Sequence, residues 1–297
     1  MIEEVRRRQT LASFDYQWGE LPEGDAMLSD PWFIENVDRV LAEHLLGVVP
    51  SWFAGRTVLD AGCGGGRWTL GLLRLGCRVL AVDGSPRGVE ATRAQMERLA
   101  PEAVREGRLE TARVDLLDPP ADLMQRRFDL VFAFGVLHYT GDARKALANL
   151  APLVSGEGMM FLYLYGQRSV SFWNQTLLTV ARLSLAPFPF AAKKAILRVL
   201  LPGRDTHQAF NLLSPLVDNR YDLETVSGWL RAEGLPGVTQ TIQHTELFLR
   251  ATREACVAPL LPPPTPPYWF ERYRKRGSCA CTMMSSKSAG PWCSCRP

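Results

Sequence analysis

The chain has 297 residues, 46% hydrophobic and 22% charged, enough for one sizeable core with additions. No apolar run reaches the roughly eighteen residues of a membrane helix, and the start Met1–Arg8 is a charged stretch without the apolar region of a secretory leader, so a cytoplasmic protein is expected. The net charge of +3 arises at the far end, where residues 268–297 hold six Lys/Arg against one Asp/Glu; the other 267 residues carry 28 basic and 30 acidic groups, and no nucleic-acid footprint is indicated.

In chain order, residues 1–30 read as a mixed, partly ordered cover segment with an aromatic cluster at Phe14–Trp18. Asp30 and Pro31 then open a helix through about Leu46, as N-cap and first helical residue. From there the hydrophobic pattern predicts strand 56–61, helix 66–75, strand 77–83, helix 86–99, strand 109–114, strand 128–134, helix 142–153 and strand 158–165. Such alternation implies a parallel sheet with right-handed crossovers and helices on both faces. Residues 222–230 form a further helix closed by Gly234, and 238–242 with 246–252 read as an antiparallel hairpin. The first strand runs into Gly62-Cys63-Gly64-Gly65-Gly66, a turn that lets a ligand approach the backbone and presents free helix N–H groups to it. A dinucleotide fingerprint would need glycine at the sixth place from Gly62, where Arg67 stands.

An acid, Asp60, two residues before Gly-x-Gly-x-Gly, a second strand ending in Asp83-Gly84, a third ending in Asp115-Leu116 and a fourth ending in Phe134, followed by the loop Gly135–Tyr139, resemble the class I S-adenosylmethionine-dependent methyltransferases. The resemblance covers about a hundred residues and is not extended past about Arg253. It implies a Rossmann-like α/β fold: a mostly parallel seven-stranded sheet with a terminal antiparallel hairpin, here with a helical insertion after the fifth strand. It implies S-adenosyl-L-methionine as cofactor and Asp60, Gly62, Gly64, Asp83, Gly84, Asp115, Leu116 and Phe134 as its contacts. Asp83 would clamp the ribose and Asp115 lie beside the adenine amino group. Oxygen or nitrogen of a small or lipid-like acceptor is the expected methyl target; a peptide or protein acceptor, or a binding module without turnover, are the alternatives. His138 is the candidate general base, because its ordinary pKa leaves it largely neutral at pH 7. Tyr139 occupies the place of a second histidine, and Tyr16, Gln17 and Trp18 resemble an N-terminal element that closes over the cofactor.

The domain is expected over 31–254, with residues 166–220 as the insertion, too long for an ordinary connection. Its segments 172–183 and 191–200 look helical, and it reads as a lid or acceptor pocket, with Phe172, Trp173 and Leu177 lining a greasy pocket or anchoring the lid. Lys193, Lys194 and Arg198 suit a solvated helix face, a peripheral membrane contact or an acidic acceptor. Residues 255–297 read as a Pro-rich linker and a disordered Cys-rich tail, dispensable for stability. The tail's Cys279-x-Cys281 and Cys293-x-Cys295 lack the usual zinc spacing, so no metal is expected, and the oligomeric state stays open.

Overall fold

A computed structural model describes residues 2–21, 26–201, 206–254, 256, 258–264 and 268–270. Seven strands form one sheet in the order β3-β2-β1-β4-β5-β7-β6: β1 Thr57–Ala61, β2 Arg78–Asp83, β3 Leu109–Arg113, β4 Phe128–Phe134, β5 Val154–Leu164, β6 Gly237–Gln240 and β7 Leu247–Thr252. The first five run parallel, and β7 pairs antiparallel with both β5 and β6. The reversal of strand order beside β1 opens a crevice at the carboxyl ends of β1 and β4, where such sheets hold ligands.

Strand alternation divides the core into two layers. In β4, Leu130 and Phe132 join one cluster with Phe33, Val37, Leu41 and Trp68, while Val131 and Ala133 join another with Ala146, Leu147, Val226 and Leu230. The first layer belongs to helices α1–α4: α1 Ile2–Glu20, α2 Pro31–Arg39, α3 Arg67–Arg74 and α4 Pro86–Leu99. Asp30 caps α2 as expected, accepting from the Trp32 N–H, and α2 continues into a π-helical stretch, Val40–Leu46, that ends at Gly47. Short helices α5 Pro101–Arg105 and α6 Ala121–Met124 precede β3 and β4, and α7 Ala143–Leu150 with a later helix, Leu223–Ala232, covers the other face.

Three regions depart from the sequence-based expectations. Residues 2–20 are one continuous helix, not a mixed segment; α1 buries Thr10, Ser13 and Gln17, polar positions that carry no hydrophobic period. Two of them are bonded at long range: Thr10 Oγ1 accepts from the Leu216 and Val217 N–H groups at 3.0 Å each, and Ser13 Oγ donates to Ser214 Oγ at 2.7 Å. The insertion holds three helices instead of two, α8 Phe172–Leu185, α9 Phe190–Leu200 and α10 Thr206–Leu213, ahead of α11 Leu223–Ala232. Leu21 of the segment after α1 packs with Leu197, Ala209 and Phe210 in a small separate cluster that joins cover and insertion.

The third departure is the expected linker. Val49 N–H donates to Pro259 O at 3.2 Å and Leu261 N–H to Gly47 O at 2.8 Å, so this stretch is strapped to the loop after the π-helical segment. Trp269 and Phe270 are buried in the first core layer, with Trp269 edge-on to Trp68 at 5.6 Å and Phe270 stacked on Phe248 at 6.1 Å. Prolines ended the periodic pattern without ending the packing. The Cys-rich segment 277–297 lies outside the described residues. Among the described residues no helix is long and apolar enough to cross a membrane, and no group of His, Cys, Asp or Glu could hold a metal ion.

Candidate functional site

A cavity of about 490 Å³ opens at the carboxyl ends of β1, β2 and β4. That size suits a small-molecule or cofactor site. Its floor is the glycine turn, in which Gly62 and Gly64 have φ of 83° and 52°, a region that L side chains rarely adopt. A Cβ at Gly62 would lie 2.5 Å from the Val136 side chain, and one at Gly64 would lie 2.5 Å from the Trp18 indole. The turn therefore needs glycine both for its backbone and for what packs on it.

Two acids hold this turn. Asp60, at the end of β1, accepts from Thr69 Oγ1 at 2.6 Å and so ties the strand to α3. Burial pushes its carboxyl up to about 7, partly offset by the Thr69 hydrogen bond. Asp83, at the end of β2, accepts from Gly64 N–H at 3.0 Å and from Ser85 N–H at 2.8 Å. Burial raises its pKa, while those backbone donors oppose the shift. A carboxylate offers about four lone-pair positions, so Asp83 keeps acceptor capacity toward the cavity that it lines. Thr92 Oγ1 fixes the turn from the other side, donating to Gly64 O at 2.7 Å.

The far wall on the side of β2 and β3 is Gly84, Asp115 and Leu116. Asp115 accepts from Leu117 N–H at 3.0 Å and from Arg7 Nη1 at 2.8 Å, which brings the cover helix down onto the end of β3. Arg7, Leu11, Phe14 and Trp18 form the cavity's roof, one face of α1 at helical spacing. The apolar members Leu11, Phe14 and Trp18 recur at i, i+3 and i+7, a signal present in the sequence. Arg7 and Gln17 break that stripe.

At the opposite end the walls come from the β4 and β5 termini and from α10. Phe134, Val136, Tyr139, Tyr163 and Tyr165 line it, with His207, Gln208 and Asn211 from α10 and Gln17 from α1. Gln17 Nε2 lies 3.0 Å from His207 Nδ1, which links roof to insertion. Of the residues expected from the sequence, Gly62, Gly64, Asp83, Gly84, Asp115, Leu116 and Phe134 meet in the wall of this one cavity. Asp60 stands behind it, on Thr69.

His138 is displaced from its expected place. The tight turn Leu137–Tyr139 directs it inward, where it is fully buried and absent from the cavity wall. Its ring stacks on Tyr165 at 3.9 Å and lies 4.3 Å from the ring of Tyr139, and neither ring nitrogen has a hydrogen-bond partner among the described residues. Burial, with the charge of Arg220, holds its pKa well below the usual histidine range. The ring therefore stands behind the cavity wall and not in it, out of direct hydrogen-bond reach of a ligand there. Phe172, Trp173 and Leu177 are likewise not pocket residues: they are 75%, 77% and 67% exposed on the outer face of α8. The pocket-forming helix of the insertion is α10, which the breakers and polar residues around it hid from the periodicity.

Residues 59–160, from β1 to β5, match the family model described as methyltransferase domain. Residues 59–160 carry a methyltransferase domain. The domain is similar to the mitochondrial ubiquinone biosynthesis O-methyltransferase of Schizosaccharomyces pombe, 32% identical over 37% of this chain and 38% of that protein. It is also similar to the ubiquinone biosynthesis O-methyltransferase of Caulobacter vibrioides, 28% identical over 57% of this chain and 58% of that one. The chain thus spans well under two thirds of the curated relatives that it matches. In fold it is similar to an O-methyltransferase family protein from Burkholderia thailandensis, with a TM-score of 0.52 and 19% identity over 77% of this chain and 57% of the other.

Proposed function

We propose that this chain transfers a methyl group from S-adenosylmethionine to a hydroxyl oxygen of a small, lipid-like acceptor. The observation that carries the reading is that one cavity joins two unlike ends: a glycine turn with Asp83 and Asp115 on one side, and an aromatic and amide wall on the other. The donor, when bound, supplies an electrophilic methyl group on a sulfonium. In this reading Asp83 accepts from the ribose hydroxyls, Asp115 and Leu116 border the adenine, and Gly62 and Gly64 give the methionine portion access to backbone. Gly84 and Phe134 complete the wall, and Asp60 acts through Thr69 by holding the turn. The roof helix α1 and the insertion helix α10 exclude water and align the acceptor, contributions that can supply much of the rate without a dedicated base. Oxygen as the methylated atom is supported by the names of the similar proteins, which are O-methyltransferases of ubiquinone biosynthesis.

We assign residues 31–254 to the methyltransferase unit, with α1 as its cover and 166–220 as the insertion that shapes the acceptor end. A cytoplasmic location belongs to the same proposal, and cell fractionation tests it. The deciding experiment is incubation of the full chain with S-adenosylmethionine and a fractionated lipid and metabolite extract. Mass spectrometry should find S-adenosylhomocysteine together with an acceptor heavier by one methylene. Methylation confined to the protein fraction would move the reading to a peptide acceptor, and binding without turnover to a non-catalytic module. Failure to bind S-adenosylmethionine would sink it.

A further inference from the structure

Behind the acceptor end lies a side-chain cluster that the cofactor chemistry does not use. Tyr139 and Tyr165 are 8% and 3% exposed, both line the cavity, and their hydroxyls are 3.0 Å apart. Tyr139 stands on the turn after β4 and Tyr165 just past the end of β5, so two adjacent sheet strands deliver one pair. The Tyr165 ring is fixed by the His138 ring at 3.9 Å and by the Arg220 guanidinium at 4.9 Å. Phe14 meets the Tyr139 ring edge-on at 4.8 Å.

Arg220 is held in turn. Its Nε donates to Gln175 Oε1 at 3.1 Å and its Nη1 to Ser169 Oγ at 2.5 Å, and its guanidinium lies 3.7 Å from Asp218 and 3.9 Å from Glu246. Arg182 Nη2 is 2.7 Å from Asp218 Oδ2, off the line of a hydrogen bond. All four charged side chains are nearly buried. A polar cluster of this density in an interior fixes the geometry of what it touches.

We propose that the Tyr139 and Tyr165 hydroxyls are the anchor for the acceptor's hydroxyl group, and that His138 and Arg220 are positioning residues that hold the pair in place. The proposal rests on the O-methylation reading. Two hydroxyls in contact use one donor and one acceptor between them, which leaves one proton and further lone pairs to face the cavity. A ligand hydroxyl there can both give and take a hydrogen bond, while a ligand without one leaves a nearly buried pair unsatisfied. Sites built in this manner reject the analogue that lacks the group far better than an apolar pocket rejects an extra atom. Burial raises both phenols above the usual tyrosine range, so each keeps its proton for this role at neutral pH. The placement also gives the buried His138 a use: a neutral ring, without a hydrogen-bond partner among the described residues, that sets the tilt of both tyrosines.

The test uses 4-nitrophenol and its methyl ether, 4-nitroanisole, titrated by calorimetry into the full chain with and without saturating S-adenosylhomocysteine. Wild type should bind the phenol at least tenfold more tightly than the ether. Tyr139→Phe and Tyr165→Phe should each weaken the phenol tenfold, leave the ether within twofold, and abolish the absorption shift that a hydrogen-bonded nitrophenol shows. His138→Phe, with a ring of similar outline, should keep most of the preference. Equal binding of phenol and ether to wild type, or loss of both ligands in the Phe variants, overturns the anchor, as does an absence of phenol binding. S-adenosylhomocysteine affinity is read in the same titrations: its loss would count against the methyl-transfer reading and leave the phenol-to-ether ratio to judge the anchor.

Discussion

At the residue scale, the two acids of the glycine turn do different work: Asp60 is buried, and Asp83 is partly exposed in the cavity wall. Asp83 faces the cavity while holding the Gly64 and Ser85 N–H groups. Asp83→Asn is therefore expected to weaken S-adenosylmethionine binding by about 1.5–3 kcal/mol, the usual worth of hydrogen bonds to a charged group, with some loss of stability as well. Calorimetric affinity within twofold of wild type would show that Asp83 is not the ribose clamp. Asp60 faces Thr69 and protein interior, and burial lifts its carboxyl from 3.8 to about 7. Between those values the folded chain binds the proton that the unfolded chain has released, so this group's contribution to stability falls as pH rises from about 4 to 7. Glu246, lifted by burial to about 7, acts with the same sign. Asp60→Asn should flatten that slope and gain stability relative to wild type at pH 8 compared with pH 5, measured by urea unfolding at both. A variant whose slope is unchanged would mean that Asp60 ionises normally in the folded chain.

At the scale of elements, cover and insertion close the site together. The roof helix α1 reaches the end of β3 through Arg7 and Asp115, and α10 through Gln17 and His207. Within the insertion, α10 lines the cavity and α8 shows its apolar residues to solvent. Asn211→Leu is accordingly expected to change the preference between two acceptors at least tenfold, about 1.4 kcal/mol in the barrier, with cofactor affinity intact. Trp173→Ser on α8 should leave both within twofold. Steady-state kinetics with the acceptor identified by mass spectrometry separates these variants; the reverse pattern would place the pocket under α8.

At the scale of the whole molecule, the segment after the sheet is part of the core. Trp269 and Phe270 fill the layer over Phe33, Trp68 and Phe248, and residues 259–261 bond to the loop at Gly47–Val49. A chain stopped after Arg253 should therefore lose at least about 3 kcal/mol, the cost of removing one large aromatic from a packed interior. Thermal unfolding would show this as a lower midpoint, whereas an unchanged midpoint would mean that the strap contributes nothing. The strap bonds join residues more than two hundred positions apart, as in the bond from Leu261 N–H to Gly47 O at 2.8 Å.

What the sequence determined by itself was everything carried by short-range signals. Alternation in Phe128–Phe134, the glycine turn after Asp60, and the caps Asp30-Pro31 and Gly234 act within a few residues, because strand period, positive φ and capping are local properties of the backbone. They sufficed for the sheet, for its antiparallel end, and for seven side chains and glycines that meet in one cavity. Tertiary structure alone decided which surfaces cover that cavity. Thr10 and Ser13 are polar and look solvated until the segment Ser214–Val217 arrives to bond them, as His207 does for Gln17. His138 and Tyr139 are neighbours in a loop, and only the turn's direction sends one ring into the interior and the other to the cavity wall. Trp269, beyond a run of prolines, has no periodic neighbours to mark it as buried. Burial of such residues depends on partners distant in the chain, and a local pattern holds no information about a surface that only folding creates.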